Sequence, residues 1–210
     1  MRDQAGDAEQ RREQMLRAAV DVIVERGYAD TRIADVAERG GTSPALVIYY
    51  FKTRDQLLTE AIRYSEDQWY AEGNRRRAAI STASGQLADL IAITCLPQTD
   101  PVPRNSWLLW LDLWALSAHN PSVASVRRKS DERWRESIRA IVQSGQENGE
   151  FSAIDADAFT VTLCALLDGL AVQIVLEDAD VPPERAYDLA MDFASAALGF
   201  DRNHSGFHGN

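Results

Sequence analysis

The sequence predicts an all-α fold, in which an N-terminal three-helix domain with a helix-turn-helix precedes a C-terminal helical bundle. Two observations support this prediction. Apolar residues recur three and four positions apart through most of the 210 residues, which is the period of a helix with one buried side, and no segment alternates as a strand does. Residue pairs that end and begin helices, such as Gly40-Gly41 and Ser43-Pro44, separate these segments.

The first two helices follow from these signals. Residues 1–8 are polar and are predicted to form a disordered arm, and an amphipathic helix follows over Glu9–Arg26. Gly27 ends that helix, since glycine adopts a positive φ at low cost. Thr31 is predicted to cap a second helix, which Gly40-Gly41 ends.

The third helix completes a helix-turn-helix. Either Thr42 or Ser43 is predicted to cap it, and Pro44 stands at its first position, where the missing N–H is not needed. Thr53-Arg54-Asp55-Gln56 has the form of a capping box and starts the next helix. Two short helices around a glycine turn place the second helix in the DNA major groove. The alternative is that this segment is simply a helical part of the core. That alternative would not explain why the caps, the glycine turn and the apolar spacing all match a helix-turn-helix.

This block resembles the DNA-binding domain of TetR-family transcriptional regulators. The family shows Ile-Ala, Ala-Gly-Val-Ser, Gly-x-x-Tyr-x-Tyr-Phe and Lys-x-x-Leu in that order. The corresponding positions here are Val36-Ala37, Gly40-Gly41-Thr42-Ser43, Ala45, Ile48-Tyr49-Tyr50-Phe51 and Arg54-Asp55-Gln56-Leu57. The resemblance covers roughly the segment 10–58, and the rest fits the family in length and layout. It implies a DNA-binding domain over 1–54, a ligand-binding and dimerisation domain over 55–200, and a flexible tail over 201–210.

Two positions depart from the family pattern. Ala45 replaces the usual glycine, and Ile48 replaces a tyrosine that commonly contacts phosphate, so Ile48 is expected to press on a thymine methyl instead. The residues predicted to hold phosphates are Arg32, Ser43, Tyr49, Lys52 and Arg54. Those predicted to face or approach bases are Ala45, Leu46 and Ile48, and Thr42 and Pro44 complete the DNA-binding set.

The net charge of −10 does not by itself suggest DNA binding. Residues 1–55 carry nine Lys/Arg and ten Asp/Glu, a net charge of −1. Residues 56–210 carry the other thirteen Lys/Arg and twenty-two Asp/Glu, a net charge of −9. Acidity therefore lies away from the predicted DNA face, where local charge decides binding. The polar N-terminus shows no signal peptide, and the two cysteines suggest no disulfide framework, so a cytoplasmic location is expected.

The C-terminal part contains six predicted helices. Their ranges are Arg54–Arg77, Ser81–Cys95, Arg104–His119, Ser122–Gln146, Asp157–Leu176 and Pro182–Leu198, with a proline-rich loop over 97–103. The helix Asp157–Leu176 is long enough to span a membrane, but Asp168 and Gln173 interrupt it, which favours burial in a bundle or a dimer interface. The family resemblance implies dimerisation through the last two helices, here Phe159, Leu163, Leu166, Leu167, Leu170, Leu189 and Phe193.

Trp107, Trp110 and Trp114 lie on one side of a predicted helix, with Asp112 on the opposite side. They either pack a core or line a ligand pocket, which Trp69 and Trp134 would join. With a carboxylate from Asp168 or Glu177, such indoles suit a cationic ligand such as a quaternary amine. A flat hydrophobic compound or an acyl chain is the alternative. The C-terminal half also resembles the choline-responsive branch of the family.

No catalytic motif, metal site or cofactor motif is predicted, because the sequence lacks H-E-x-x-H, a P-loop and G-x-G-x-x-G. Taken together, the motifs and the resemblance predict a homodimeric regulator that binds double-stranded operator DNA and is released from it by a small molecule. The alternative is a helical small-molecule-binding protein or enzyme whose N-terminal helices only pack.

Overall fold

The computed structural model describes residues 2–96 and 103–202, with side chains described for 6–96, 107–121 and 123–202. Within these residues the chain is helical and has no strand, which confirms the all-α prediction. The helices are α1 (Arg2–Arg26), α2 (Ile33–Arg39), α3 (Pro44–Phe51), α4 (Arg54–Arg77), α5 (Ala83–Cys95), α6 (Pro103–Ser117), α7 (Pro121–Glu147), α8 (Ala156–Val175) and α9 (Pro183–Leu198).

Most helix ends lie within two residues of their predicted positions, and two predictions need correction. Helix α1 begins at Arg2, so the predicted disordered arm is wrong for residues 2–8. Thr31 does not cap α2, because its side chain is buried and its hydroxyl donates to the carbonyl of Gly27 at 2.8 Å. Arg32 occupies the cap position, and its N–H donates to the Asp35 carboxylate. The predicted loop, apart from Pro103, and the tail after residue 202 lie outside the described residues.

The chain divides into two compact units. Unit 1 comprises residues 1–72 and 108–126, and unit 2 comprises residues 73–107 and 127–210. The predicted division between residues 54 and 55 falls inside unit 1, whose first segment continues to residue 72. Helices α4, α6 and α7 each contribute residues to both units.

The core of unit 1 joins the helix-turn-helix to parts of α4, α6 and α7. Val47 and Phe51 of α3 are buried together with Val36 of α2 and with apolar side chains of α1 and α4. The same cluster includes three residues from the later helices, namely Leu109, Leu113 and Val123. The folded unit that carries the helix-turn-helix therefore contains part of α6.

The core of unit 2 lies among α5, α7, α8 and α9. Leu90 and Ile91 of α5 are fully buried in it, as are Ile138 of α7 and Leu163 of α8. Helix α9 contributes small and flexible side chains, among them Ala190, Met191 and Ala194. Small residues let helices approach closely, and methionine fills the irregular space between them.

Candidate functional site

Helix α3 is held with one face inward. The Ser43 hydroxyl accepts a hydrogen bond from the N–H of Leu46 at 3.2 Å, and Pro44 stands in the first turn, as predicted. Gly41, in the preceding turn, has a φ of +60°, which suits glycine. Val47 and Phe51 then anchor the helix in the core of unit 1.

The outward face of α3 consists of exposed apolar and aromatic side chains. Ile48 is 47% exposed and Tyr49 is 68% exposed, and Ser43, Pro44 and Ala45 are exposed beside them. The predicted DNA-binding residues Arg32 and Lys52 are also exposed. Three members of that set are half-buried, namely Thr42, Leu46 and Arg54, and Leu46 packs against the core.

Lys52 ends α3 in a conformation that is uncommon for its residue type. Its φ is +62°, and its N–H donates to the carbonyl of Ile48 at 2.8 Å. The ammonium group donates to the carbonyl of Tyr49 at 2.6 Å and lies 5.1 Å from the centre of the Tyr49 ring. Uncommon backbone conformations of this kind cluster at functional sites, and here the result is a cation held next to an exposed phenol.

Arg54 was predicted to hold a phosphate, and its contacts argue against that role. Its guanidinium donates to the carbonyls of Thr31 at 2.6 Å and Ala29 at 2.8 Å, and also to that of Tyr28. It also lies over the Tyr28 ring, 5.3 Å from the centroid. Through these contacts Arg54 connects the α1–α2 turn to the start of α4.

Asp112 of α6 holds the same turn from another side. Its Oδ2 accepts a hydrogen bond from the N–H of Tyr28 at 2.9 Å. A Cβ at Gly27, whose φ is +84°, would stand 3.1 Å from that oxygen, so glycine serves both the turn and the approach of the carboxylate. Sequence reasoning placed Asp112 opposite the indoles but did not assign it this contact, which joins residues 84 positions apart.

The predicted ligand residues are divided between the two units. Trp69, Trp110 and Trp114 belong to unit 1, where Trp110 packs against the core and Trp69 meets Tyr70 edge to face at 4.9 Å. In unit 2, the indole N–H of Trp107 donates to the carbonyl of Thr94 at 3.1 Å, and Trp134 packs against the core. A ligand pocket formed by all of them remains a prediction.

Asp168 lies half-buried on α8. Burial raises the pKa of its carboxyl to about 6, the charge of Asp131 adds to the effect, and Arg135 on α7 opposes it. A carboxylate that is poorly solvated and close to a second acid is favourable for a cation. Unit 2 also has a groove of about 780 Å³ between α7 and the end of α4. Its lining includes Arg77, Lys129 and Glu136 and contains no indole, so the groove differs from the predicted pocket.

Most residues of the predicted dimerisation set lie in or against the chain's own core. Four of its members are buried in the chain's own core, namely Phe159, Leu163, Leu167 and Leu170, and Leu166 and Phe193 pack against that core. Only Leu189 of the set is exposed, at 42%. The exposed stripe of α8 and its C-cap contains Ala158, Val161, Thr162, Ala165, Gly169 and Leu176. We call this stripe, with Leu189, the outer α8–α9 face.

Other site classes find little support among the described residues. No group of His, Cys, Asp or Glu within residues 2–96 and 103–202 has the arrangement of a metal site. Burial raises the pKa of Cys95 and of Cys164 to about 12, which keeps both thiols protonated and unreactive. By length and composition alone α8 is apolar enough to span a membrane, but one side of it packs into the core of unit 2.

Family models match both parts of the chain. The model described as bacterial regulatory proteins of the tetR family matches residues 15–61, and the model described as the C-terminal part of BetI-type transcriptional repressors matches residues 86–199. The first match contains the helix-turn-helix, and the second contains the indoles of α6, Asp168 and the outer α8–α9 face.

Individual relatives agree with these matches. The chain is 29% identical over 189 residues to the HTH-type transcriptional regulator BetI of Pseudomonas aeruginosa, covering 90% of this chain and 93% of the relative. It is similar to a transcriptional regulator from Saccharomonospora viridis that was solved in complex with choline. The TM-score is 0.81 and the identity is 29%, and the match covers 90% of this chain and 98% of the other. A TetR-family structure from Rhodococcus sp. has a TM-score of 0.79 and 26% identity, and the match covers 90% of this chain and 99% of the other.

Proposed function

Because this chain belongs to the TetR family, with a C-terminal part of the BetI type, we propose that it is a homodimeric repressor that a small cation releases from operator DNA. Its family and relatives make it a ligand-responsive DNA-binding transcriptional regulator and not an enzyme. The alternative of a helical protein whose N-terminal helices only pack is therefore set aside. The dimer, the effector and the site residues belong to the proposal, as does a cytoplasmic location.

The exposed face of α3 carries the DNA-binding part of the proposal. Val47 and Phe51 fix the helix from inside, so its outer face has a defined orientation. Lys52 and Arg32 supply exposed cations at its margins for phosphates, and Tyr49 supplies a hydroxyl. Unit 1 therefore has the parts that position a helix in a major groove.

The outer α8–α9 face supports the homodimer. Val161 is 54% exposed and Leu176 is 71% exposed, and the small residues Ala165 and Gly169 lie between them on the same stripe. Small exposed residues let a second helix approach closely, and the larger ones supply apolar area. A two-fold dimer also suits DNA, since it places two recognition helices on symmetric half-sites.

Asp168 and Trp134 support a cationic effector. Asp168 is a half-buried carboxylate whose pKa is raised chiefly by burial and further by the charge of Asp131, and a bound cation would offset both effects. Trp134 and Trp107 are half-buried indoles of the same unit. Indole faces attract cations by roughly 0.5–2 kcal/mol per contact. The similar Saccharomonospora viridis protein was solved with choline, a quaternary ammonium compound.

The link from effector to DNA is proposed to run through α6. This helix carries the indoles on one side and Asp112 on the other, and Asp112 binds the N–H of Tyr28. Arg54 in turn ties that segment to the first turn of α4. A ligand that displaces α6 would therefore move the turn on which the helix-turn-helix depends. Effector and DNA must then weaken each other's binding by the same factor.

The test uses choline and its uncharged isostere, in which a tert-butyl group replaces trimethylammonium. Tryptophan fluorescence measures binding, and a gel shift with the DNA upstream of the chain's own gene measures release. We expect choline to bind at least tenfold more tightly, since about 1.4 kcal/mol is sufficient for that factor. Equal binding of both compounds, or release by a long acyl chain alone, would contradict the cationic effector and favour the hydrophobic one.

A further inference from the structure

We propose that α3 recognises its operator through the 5-methyl groups of pyrimidines, with Ile48 selecting thymine at the base it contacts. This inference rests on the proposed DNA binding and adds the chemistry of base recognition to it. It concerns which bases are read, whereas phosphate contacts by Lys52 or Arg32 carry no sequence information.

The composition of the recognition segment favours apolar readout. From Ser43 to Lys52 the chain reads SPALVIYYFK, which has no arginine, asparagine, glutamine or acidic residue. The bidentate pairs that read guanine and adenine require a guanidinium, an amine or a side-chain amide, and contacts to cytosine commonly use a carboxylate. Lys52 is the one exception in this segment, and it lies at the C-cap of α3, where one of its three N–H donors is directed to the carbonyl of Tyr49. The α3 residues themselves therefore offer no bidentate base contact, and the single hydroxyls of Ser43 and Tyr49 lack the paired groups that such contacts need.

Ile48 is held on the outward side of α3. Ile48 follows Ala45 by three positions, so the two side chains share the outward side of α3, and both are exposed. Val47 and Phe51 are buried on the inward side, which prevents the helix from turning Ile48 away. A 47% exposed isoleucine on a short, anchored helix is an apolar surface presented outward.

Among the base edges of the major groove, the C5-methyl group of thymine is the apolar one. Ile48 gains by covering it, since each buried methyl contributes about 0.8 kcal/mol, or about fourfold in affinity. Cytosine presents C–H at the same position and leaves that surface uncovered. Ala45 is small enough to let the helix approach the base edge. The expected operator therefore has thymine at one or two fixed positions in each half-site.

The experiment begins by selecting high-affinity duplexes from random DNA with the full-length wild-type protein. Each thymine of the selected operator is then replaced by deoxyuridine, which removes only the methyl group. We expect about fourfold weaker binding at one or two positions of each half-site, and about fourteenfold when both half-sites of a dimer are changed. Placing 5-methylcytosine opposite guanine at those positions should bind more tightly than unmodified cytosine.

Variants assign the effect to a residue. Ile48→Ala should bind the thymine and deoxyuridine operators equally. Tyr49→Phe, which removes a proposed phosphate contact, should weaken binding to both operators by the same factor and keep the full preference. Ile48→Gln supplies an amide and should shift the preference at that position towards adenine. Because Ile48 is exposed, these variants should fold, and circular dichroism checks this.

Two results would overturn the inference: a wild-type protein that is indifferent to every thymine replacement, or an Ile48→Ala variant that keeps the whole preference. If the operator still responds to effector in either case, the proposed function stands and only methyl readout fails. If no duplex is enriched from the random pool at low salt, the DNA-binding function and this inference fail together.

Discussion

Replacing Asp112 with alanine tests the proposed link between α6 and the helix-turn-helix. The substitution removes the acceptor of the Tyr28 N–H, which is held at 2.9 Å by a half-buried carboxylate. Hydrogen bonds to charged groups contribute about 1.5–3 kcal/mol net. For a chain of this length each kcal/mol shifts the melting temperature by about 2–4 °C, so a loss near 2 kcal/mol lowers it by about 4–8 °C.

The same variant should lose much of its response to effector. Choline should still bind, because the predicted cation-binding residues are untouched, but the ratio of DNA affinities without and with choline should fall towards one. Fluorescence anisotropy of labelled operator, measured at several choline concentrations, gives that ratio. The same titration, at zero choline, also gives the difference in DNA affinity between the variant and the wild-type protein.

Two further variants make the result specific. Asp112→Asn keeps an oxygen acceptor but removes the charge, so it should lose about half as much stability as the alanine variant. Asp30→Ala removes an exposed carboxylate from the same α1–α2 segment and should leave both measurements unchanged. An Asp112→Ala protein with wild-type melting temperature and full choline response would refute the proposed role of this contact.

Three other predictions concern the remaining parts of the proposal. Val161→Arg on the outer α8–α9 face should cost several kcal/mol of dimer stability and give monomers or aggregates in analytical ultracentrifugation, whereas Ala71→Arg, exposed on α4, should remain dimeric. Lys52→Gln should weaken binding to all sequences similarly and flatten the slope of log affinity against log salt by about 0.9 for each protomer's lost phosphate contact. Because burial raises the pKa of Asp168 to about 6, choline affinity should fall as the pH drops below 6, and Asp168→Asn should abolish that fall.

The raised pKa of Asp168 also predicts how stability depends on pH. The folded protein holds this proton more tightly than the unfolded chain, whose aspartate has the ordinary value near 3.8. The associated stability is therefore present below pH 4 and is lost as the pH rises through about 6. In urea unfolding, the wild-type protein should lose stability relative to Asp168→Asn between pH 4 and pH 7.

Local signals made α3 predictable. Its cap, its proline and its inward residues lie within nine consecutive positions, so no distant contact was needed to place them. Thr31 shows the limit of such reasoning, because a threonine near a helix start can bond the preceding turn as readily as cap the next helix. Here its hydroxyl is directed to Gly27.

Arg54 and Asp112 could not be assigned from sequence because their partners are distant. The Arg54 guanidinium reaches carbonyls 23 to 26 residues away, and Asp112 reaches a backbone N–H 84 residues away. A charged residue near a DNA-binding motif looks the same in sequence whether it meets phosphate or backbone. Only the folded α1–α2 turn distinguishes the two.

Sequence alone does not separate the residues of α8 that fill the chain's own core from those that remain exposed, because α8 is apolar on nearly all sides. Its periodicity therefore does not indicate which side faces the chain's own core and which remains exposed. The largest residues, such as Leu163 and Leu167, drew the prediction and fill the core. The exposed stripe includes Ala165 and Gly169, whose small side chains give a weak hydrophobic signal in sequence.

The most direct test of effector-controlled DNA binding is a titration of labelled upstream DNA with the wild-type protein, with and without choline, followed by anisotropy. We expect a dissociation constant of roughly 10⁻⁸ M or tighter for the operator, far tighter than for a scrambled duplex of equal length. Saturating choline should weaken operator binding at least tenfold while the uncharged isostere leaves it unchanged. Equal binding of operator and scrambled duplex, or operator binding that no effector changes, would contradict the account.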